Sequence, residues 1–449
     1  MREVASTLVL PTARGSDLRS PAGVLSTSLF VFTFAGQAVR NLLDWQGFVA
    51  VAALLAAVAL VVFWRHRRAA LHAGAPVSLL AFLLLCALSL LWSDYEWATI
   101  LGVGIQWVTA GAAILMARFD RWDTIQHALS HALRIILGSS LLFEVFVTVV
   151  LDAPLLPVYL DVESPPGAYY WSENLLLELG PIQGVVGNRN LLAFLALLSL
   201  VLTVVGSVER RRIDRRELCW IAVALLTMAL TRSATVILAL AAVAIVGLLV
   251  ATIRRLPARR RGAAYLTALT LLSIGVTACW ASAHSLLSVL GRTDASGRTA
   301  IWRTVADLAG QEPLIGWGWI SYWAPWVPPF DGLIVIDGVE YLQAHNALLD
   351  IWLQLGVVGV AVAVVVAATV SVRTWRIASD GLPGVPRTAV PLLLLTALLF
   401  QSLTESRLLI EGNWMLFVVL CCVASTAARG RAHSEARHDA LATKRPLTL

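Results

Sequence analysis

"NLLAFLALLSLVLTVVGSVERRRIDRRELCWIAVALL", Asn190 to Leu226, holds two apolar runs separated by a connection that carries five arginines. The first run extends over 187–207 and is long enough to cross a hydrocarbon core of about 30 Å as one helix of roughly 20 residues. The second begins as soon as the arginines end. An apolar run, a short basic connection and another apolar run is the pattern of adjacent spans joined on the cytoplasmic side of a membrane. The rest of the chain repeats it. Of 449 residues, 58% are hydrophobic and 14% charged, where a soluble domain carries about 25% charged residues. Mean hydropathy is +0.78.

Twelve apolar runs are read as helices: 24–39, 45–64, 75–92, 98–117, 135–151, 187–207, 217–231, 234–253, 263–283, 346–371, 388–404 and 409–428. The fold class is therefore an all-α polytopic membrane protein of about 12 transmembrane helices. The basic connections are "WRHRRAA" (64–70), "VERRRIDRRE" (208–217), "RRLPARRRG" (254–262), "RTWRIASDG" (373–381) and the tail "ARGRAHSEARH" (428–438). All fall on one side if both termini are cytoplasmic, which accounts for the net charge of +6 without a nucleic-acid partner. Connections of the other side are acidic or neutral, "WSDYEW" (92–97) and 152–186. This predicts a cytoplasmic N-terminus over 1–23, helices 1–9 over 24–283, an extracytoplasmic loop over 284–345, helices 10–12 over 346–428 and a cytoplasmic tail over 429–449. No cleaved signal peptide is expected, because no basic n-region leads directly into an apolar stretch. The five cysteines all sit in apolar runs without a CxxC pair and read as small core residues.

The loop between helices 9 and 10 is too long for a connector. It contains Trp302, Trp317, Trp319, Trp323 and Trp326, whereas disordered segments are poor in aromatics. It should be a folded cap, with 297–310 as an amphipathic helix whose Ile301, Val305 and Leu308 share one face. Its tryptophans suit either an interfacial belt or a surface for stacking sugars.

Polar groups gather at the same face. Arg189 stands between two asparagines in "GPIQGVVGNRNLLAF" (180–194), Arg232 lies in "LTRSATV" (230–236) and Arg298 in "SGRTAIW" (296–302). His345 and Asn346 open "QAHNALLDIWLQLGVVG" (343–359), and Glu405, Arg407 and Glu411 lie in "TESRLLIEGNW" (404–414). Each has an ordinary reading: an arginine snorkelling to headgroups, Arg298 paired with Asp294 or Asp307, His345 as an interfacial residue. Gly356 and Gly359 stand one turn apart and could press on a neighbouring helix to fix the mouth that bears His345. Taken together, arginines and a histidine on an outward face suit a substrate with phosphate oxygens, which the guanidinium fork matches. A lipid diphosphate fits best, because arginines can stabilise a departing pyrophosphate without a metal, and a histidine can move the proton.

These landmarks resemble the O-antigen ligase and O-antigen polymerase superfamily, closest to its exopolysaccharide polymerase-like members. The pattern is His345, Asn346, nine residues, Gly356, two residues, Gly359. "SGRTAIW…PLIGWGWISYW" (296–323), "GVVGNRNLLAF" (184–194), "LTRSAT" and "LTESRLL" (403–409) are similar to other family landmarks and keep their order. The resemblance implies an inverting, metal-independent glycosyltransferase without a cofactor, which polymerises or ligates glycans at the outer face of the cytoplasmic membrane. Its donor would be a polyprenyl-diphosphate-linked oligosaccharide and its acceptor a glycan, with a flippase and a chain-length regulator as further partners. By the same resemblance His345 and Arg298 are catalytic, Arg232, Arg298 and Arg189 bind the diphosphate, and Asn346, Gly356, Gly359 and Glu405 support them.

Two rival classes are a transporter and a non-catalytic subunit of a polysaccharide assembly complex. A transporter should show two related halves, and the Trp-rich loop occurs once. It should also carry intramembrane charges, and Glu144 in "LLFEVFV" is the clear case.

Overall fold

The computed structural model describes residues 20–65, 74–162, 165–267, 270, 298–380 and 386–442. Its labelled helices are α1 (Pro21–Arg65), α2 (Val77–Leu88), α3 (Glu96–Phe119), α4 (Trp122–Phe146), α5 (Arg189–Arg210), α6 (Arg215–Thr231), α7 (Ala234–Arg255), α8 (Arg298–Ala309), α9 (Ala347–Ser379), α10 (Val390–Ser402) and α11 (Glu411–Ala442). Residues 258–267 are also helical, so only the start of the expected ninth span is described, and Cys279 and Asp294 lie outside the described residues. Among the described residues, six helices are long and apolar enough to cross a membrane, and three shorter apolar helices accompany them. This is a multi-pass membrane protein.

α9 and α11 run on past the apolar runs that mark them, to Ser379 and Ala442, and α1 and α4 depart from theirs in other ways. α1 spans 45 residues, with Asp44 at φ 60°, ψ −177°. A straight helix would separate Phe32 and Phe48 by roughly 24 Å, yet their rings stack with centroids 5.1 Å apart. The chain therefore turns back at Asp44, and the apolar runs 24–39 and 45–64 form two packed helices. α4 begins earlier than the run 135–151, because its first half is amphipathic: Ile125, Ala128, Leu129, Ala132 and Leu133 are buried while polar residues face away.

α5 lies at the centre. Every residue from Leu191 to Thr203 is buried, as expected of a helix that is apolar all round, and it packs against α4, α6, α7 and α10. Cys86, Cys421 and Cys422 are core residues, whereas Cys219 is exposed on α6, a departure from the sequence reading. At the arginine-rich end, Arg387 bridges Asp123 (3.2 Å) and Glu209 (2.9 Å), and Arg254 donates to the Ala378 carbonyl (2.6 Å) and the Thr388 hydroxyl (2.7 Å). α5 and α7 each run 22 residues from that end to the other, about 33 Å.

Of the expected cap, residues 284–297 lie outside the described residues, and 298–345 pack around an apolar cluster. Ile301, Val305 and Leu308 of α8 are buried against Tyr95, Trp323, Phe330 and Leu353. A two-residue hairpin, β1 (Val335–Ile336) with β2 (Val339–Glu340), turns at Asp337 and Gly338, both at positive φ, the backbone that a type I′ turn requires. The tryptophans are neither belt nor platform, with one exposed exception. Trp319 and Trp323 are fully buried, and Trp302 and Trp317 donate to the carbonyls of Ala344 and Leu308. Only Trp326 among the five stands well exposed, at 72%. Trp319 packs edge-on against Phe82 at 5.8 Å, which ties the cap into the helix bundle.

α9 is broken at Gly356 (φ 63°, ψ −167°), a backbone region that is essentially confined to glycine. The break frees backbone groups, and the cap satisfies them. Trp317 and Gly318 donate to the carbonyls of Leu353 (3.0 Å) and Gln354 (2.9 Å), while Val357 and Val358 donate to those of Pro313 (2.9 Å) and Leu314 (3.2 Å). The expectation that the two glycines press on a neighbouring helix is corrected here. A Cβ on Gly356 would lie 2.2 Å from the backbone of Leu314, and one on Gly359 would lie 2.2 Å from Leu355 Cβ of the same helix. Gly356→Ala is therefore expected to destabilise the protein by roughly 3 kcal/mol, as strain and backbone clash combine. Thermal unfolding in detergent measures it.

Candidate functional site

Three chain segments meet around one buried carboxylate. Glu405, its side chain 3% exposed, sits between α10 and α11. Its Oε1 accepts from Arg298 Nη2 (3.0 Å) and Asn190 Nδ2 (2.9 Å), and its Oε2 faces His345 Nδ1 at 2.9 Å. Arg298 is the first residue of α8, Asn190 belongs to the first turn of α5, and His345 stands two residues before α9. Arg298 thus pairs with Glu405 and not with Asp307, the nearby carboxylate that the sequence offers it.

The local fold holds His345 from both sides. Its neighbour Ala344 donates to Asp350 Oδ2 (3.1 Å) and accepts from Trp302 Nε1 (3.0 Å). Asn346 is an N-cap: its Oδ1 accepts from Leu348 (3.0 Å) and Leu349 (3.2 Å), the role for which asparagine is favoured. Its own N–H donates to Ser406 Oγ (3.2 Å) and its Nδ2 to the Leu403 carbonyl (3.3 Å). Asn346 thus both starts α9 and clamps the loop that carries Glu405. His345 itself takes φ 51°, and the Tyr341 ring lies edge-on to it at 5.7 Å.

Burial pushes the Glu405 carboxyl up. The hydrogen bond from His345 and the charges of His345, Arg298 and Arg407 more than offset it, so the group is held below its ordinary value of 4.5. An ionised Glu405 requires a proton on His345 Nδ1, which leaves Nε2 as the lone-pair nitrogen of the neutral ring. Arg298 places one of its five N–H donors on Glu405. The depressed value has a sign for stability. Ionised Glu405 contributes fully above its unfolded value, near pH 4.5, and that contribution is lost as pH falls through the lower folded value. The melting temperature of the wild type is thus expected to fall towards that of Glu405→Gln on acidification, where the variant curve is flatter.

The remaining arginines flank this cluster. Arg232 caps the end of α6 at φ 48°, and its Nη2 donates to the Glu178 carbonyl (2.8 Å). Arg189 is exposed at the start of α5. Neither touches Glu405, but the residue following each one joins the network: Asn190 Oδ1 accepts from Ser233 Oγ at 2.9 Å. Asn190 and Ser233 are the residues that the sequence reading passes over. The signal is present in "GNRN" and "LTRSAT", where the formal charges draw attention from the neutral neighbours. Arg407 bonds loosely to Glu411 (3.6 Å).

Residues 217–364 match the family model for O-antigen ligase. Over this third of its length the chain is similar to the O-antigen ligase family. No curated protein matches it significantly. The matched third contains Arg232, Arg298, His345, Gly356 and Gly359, while Glu405 and Asn190 come from outside it. Among the described residues, no three His, Cys, Asp or Glu side chains cluster as metal ligands would.

Proposed function

We propose that the protein polymerises polyprenyl-diphosphate-linked glycans at the outer face of the cytoplasmic membrane, with inversion and without a metal. The observation that carries this reading is the single carboxylate of Glu405 holding Arg298 and His345 together. His345 Nε2 takes the proton of the attacking acceptor hydroxyl. A new C–O bond forms at the anomeric carbon as the bond to the diphosphate oxygen breaks on the opposite side. The lipid diphosphate leaves, with its developing charge stabilised by Arg298 and by Arg232 and Arg189 at the rim. Asn346 and Gly356 hold the histidine and the cap in place.

In this reading residues 1–23 and 429–449 are cytoplasmic and the cap within 284–345 is extracytoplasmic. Two features support that orientation: the arginine-rich connections sit at the helix ends away from His345, and the reaction draws on no nucleotide site. Polymerisation is favoured over ligation by the resemblance to exopolysaccharide polymerase-like members.

A transporter reading loses its main residue. Glu144 accepts from Gln183 N (3.0 Å), Gly184 N (2.6 Å) and Ser172 Oγ (2.7 Å). It is a satisfied anchor for the loop leading into α5. The test is reconstitution with purified lipid-linked repeat units and a gel of product length, run with and without chelator. A ladder that survives the chelator is expected. A single unit moved to a different acceptor would make the protein a ligase, and no product, or dependence on added metal, would overturn the proposal.

A further inference from the structure

The arginine-rich end of the bundle carries a second group of polar side chains, away from Glu405. Arg134 of α4 and Arg216 of α6 immediately precede the apolar runs 135–151 and 217–231, so both stand at the level where the headgroups of a bilayer begin. Trp220 joins them. Its ring lies under the Arg134 guanidinium, with Cζ 5.6 Å from the ring centroid, within cation–π range. The same ring reaches Gly138 of α4, where an added Cβ would meet it at 3.8 Å. Gly138 follows Arg134 by one helical turn, and Trp220 follows Arg216 by one. Of the charges near Arg134, that of Arg216 acts on it most strongly. The nearby carboxylates are already engaged. Glu217 accepts from Arg210, from Ser207 Oγ (3.0 Å) and from the Asp214 N–H (3.4 Å), and Asp214 pairs with Arg212 at 2.6 Å. Among the described residues neither Arg134 nor Arg216 forms an ion pair, and Arg134 Nε is buried without a hydrogen-bond partner.

We propose that Arg134, Arg216 and Trp220 hold a phospholipid with an anionic headgroup, in the leaflet at the arginine-rich end. Its phosphate lies between the two guanidinium groups, whose planar forks match phosphate oxygens. One acyl chain follows the contact between α4 and α6, where Leu142 (72% exposed) and Leu225 (48% exposed) face outwards. Charge selects the headgroup. Two arginines without a counter-ion favour a lipid of net negative charge over a zwitterionic one, whose ammonium accompanies its phosphate. The apolar faces beside the arginines select a lipid over a soluble anion, which would engage the forks and leave those faces uncovered. Trp220 keeps water from one side of Arg134, which strengthens an ionic contact there. A lipid held in this way bridges the two helices that pack on either side of α5.

The test titrates the full-length protein in detergent with phosphatidylglycerol, phosphatidylethanolamine or glycerol phosphate. Native mass spectrometry reads the bound lipid, and thermal unfolding reads its effect on stability. Phosphatidylglycerol is expected to bind and to raise the melting temperature, with phosphatidylethanolamine about tenfold weaker. Arg134→Gln and Arg216→Gln should each weaken phosphatidylglycerol about five- to tenfold, the loss of one charge-assisted contact, and leave phosphatidylethanolamine unchanged. Arg216 is exposed, so its variant keeps the test open if Arg134→Gln fails to fold. Arg260→Gln removes the same charge from another basic connection and should bind phosphatidylglycerol as the wild type does. Equal binding of the two phospholipids by the wild type would overturn the site. An equal loss in Arg260→Gln would reduce it to net charge and overturn it too. Glycerol phosphate that competes as well as phosphatidylglycerol would overturn the assignment to a lipid. None of these readouts draws on glycan transfer, so their failure leaves the enzymatic reading standing.

Discussion

Replacing His345 with alanine is expected to reduce glycan transfer by about two to four orders of magnitude, the range that a positioned acid–base group contributes. Insertion and expression should persist, because the fold around the ring depends on other bonds. Ala344 stays tied to Asp350 and Trp302, and Asn346 still caps α9 and holds the Leu403–Ser406 segment. The assay is product length from lipid-linked repeat units in vesicles. Because Nδ1 faces Glu405 (2.9 Å), the free nitrogen of the neutral ring is Nε2, and glutamine at 345 would supply no base. His345→Gln is therefore expected to match His345→Ala. A full distribution of product lengths from either variant would refute the assigned role.

Replacing Glu405 with alanine is expected to have the second large effect, on stability as well as on rate. The carboxylate is almost completely buried and serves Arg298, Asn190 and His345 at once. Removing one partner of such an arrangement leaves an uncompensated charge, at a cost of about 3–5 kcal/mol. Arg298 would lose its aim, and His345 would lose the partner that fixes its tautomer. Glu405→Gln keeps the shape and removes the charge, so it should lose less stability than the alanine variant while still losing transfer. Arg298→Ala should also abolish transfer, but it leaves Glu405 its contacts to His345 and Asn190. Wild-type melting and transfer in Glu405→Ala would show that the carboxylate is a bystander.

Most of the helical plan is legible in the sequence, because membrane helices must be apolar over a fixed length and their connections carry a charge bias. The turn-back in α1 coincides with the interruption between 39 and 45, where Asp44 sits. The early start of α4 escapes such a reading, since an amphipathic half-helix lacks a continuous apolar run. Within the site, His345, Asn346, Arg298 and Glu405 are identifiable as isolated polar groups beside apolar runs. Their convergence is not, because Asn190, Arg298, His345 and Glu405 are brought together only by packing. Neutral Asn190 and Ser233 carry no charge to mark them. The glycines stand out by their spacing, yet the role of Gly356 depends on a left-handed break that pairs with the distant Pro313–Gly318 segment, and helical spacing gives no hint of a break.

The central claim is that Glu405 acts through His345 in glycan transfer. The most direct test is a double-mutant cycle on initial transfer rates in vesicles, with His345→Ala, Glu405→Gln and the double variant. Residues that act as a unit are strongly non-additive. The account predicts that the double variant is no slower than His345→Ala alone. Losses that multiply in full, or a wild-type rate in either single variant, would contradict it.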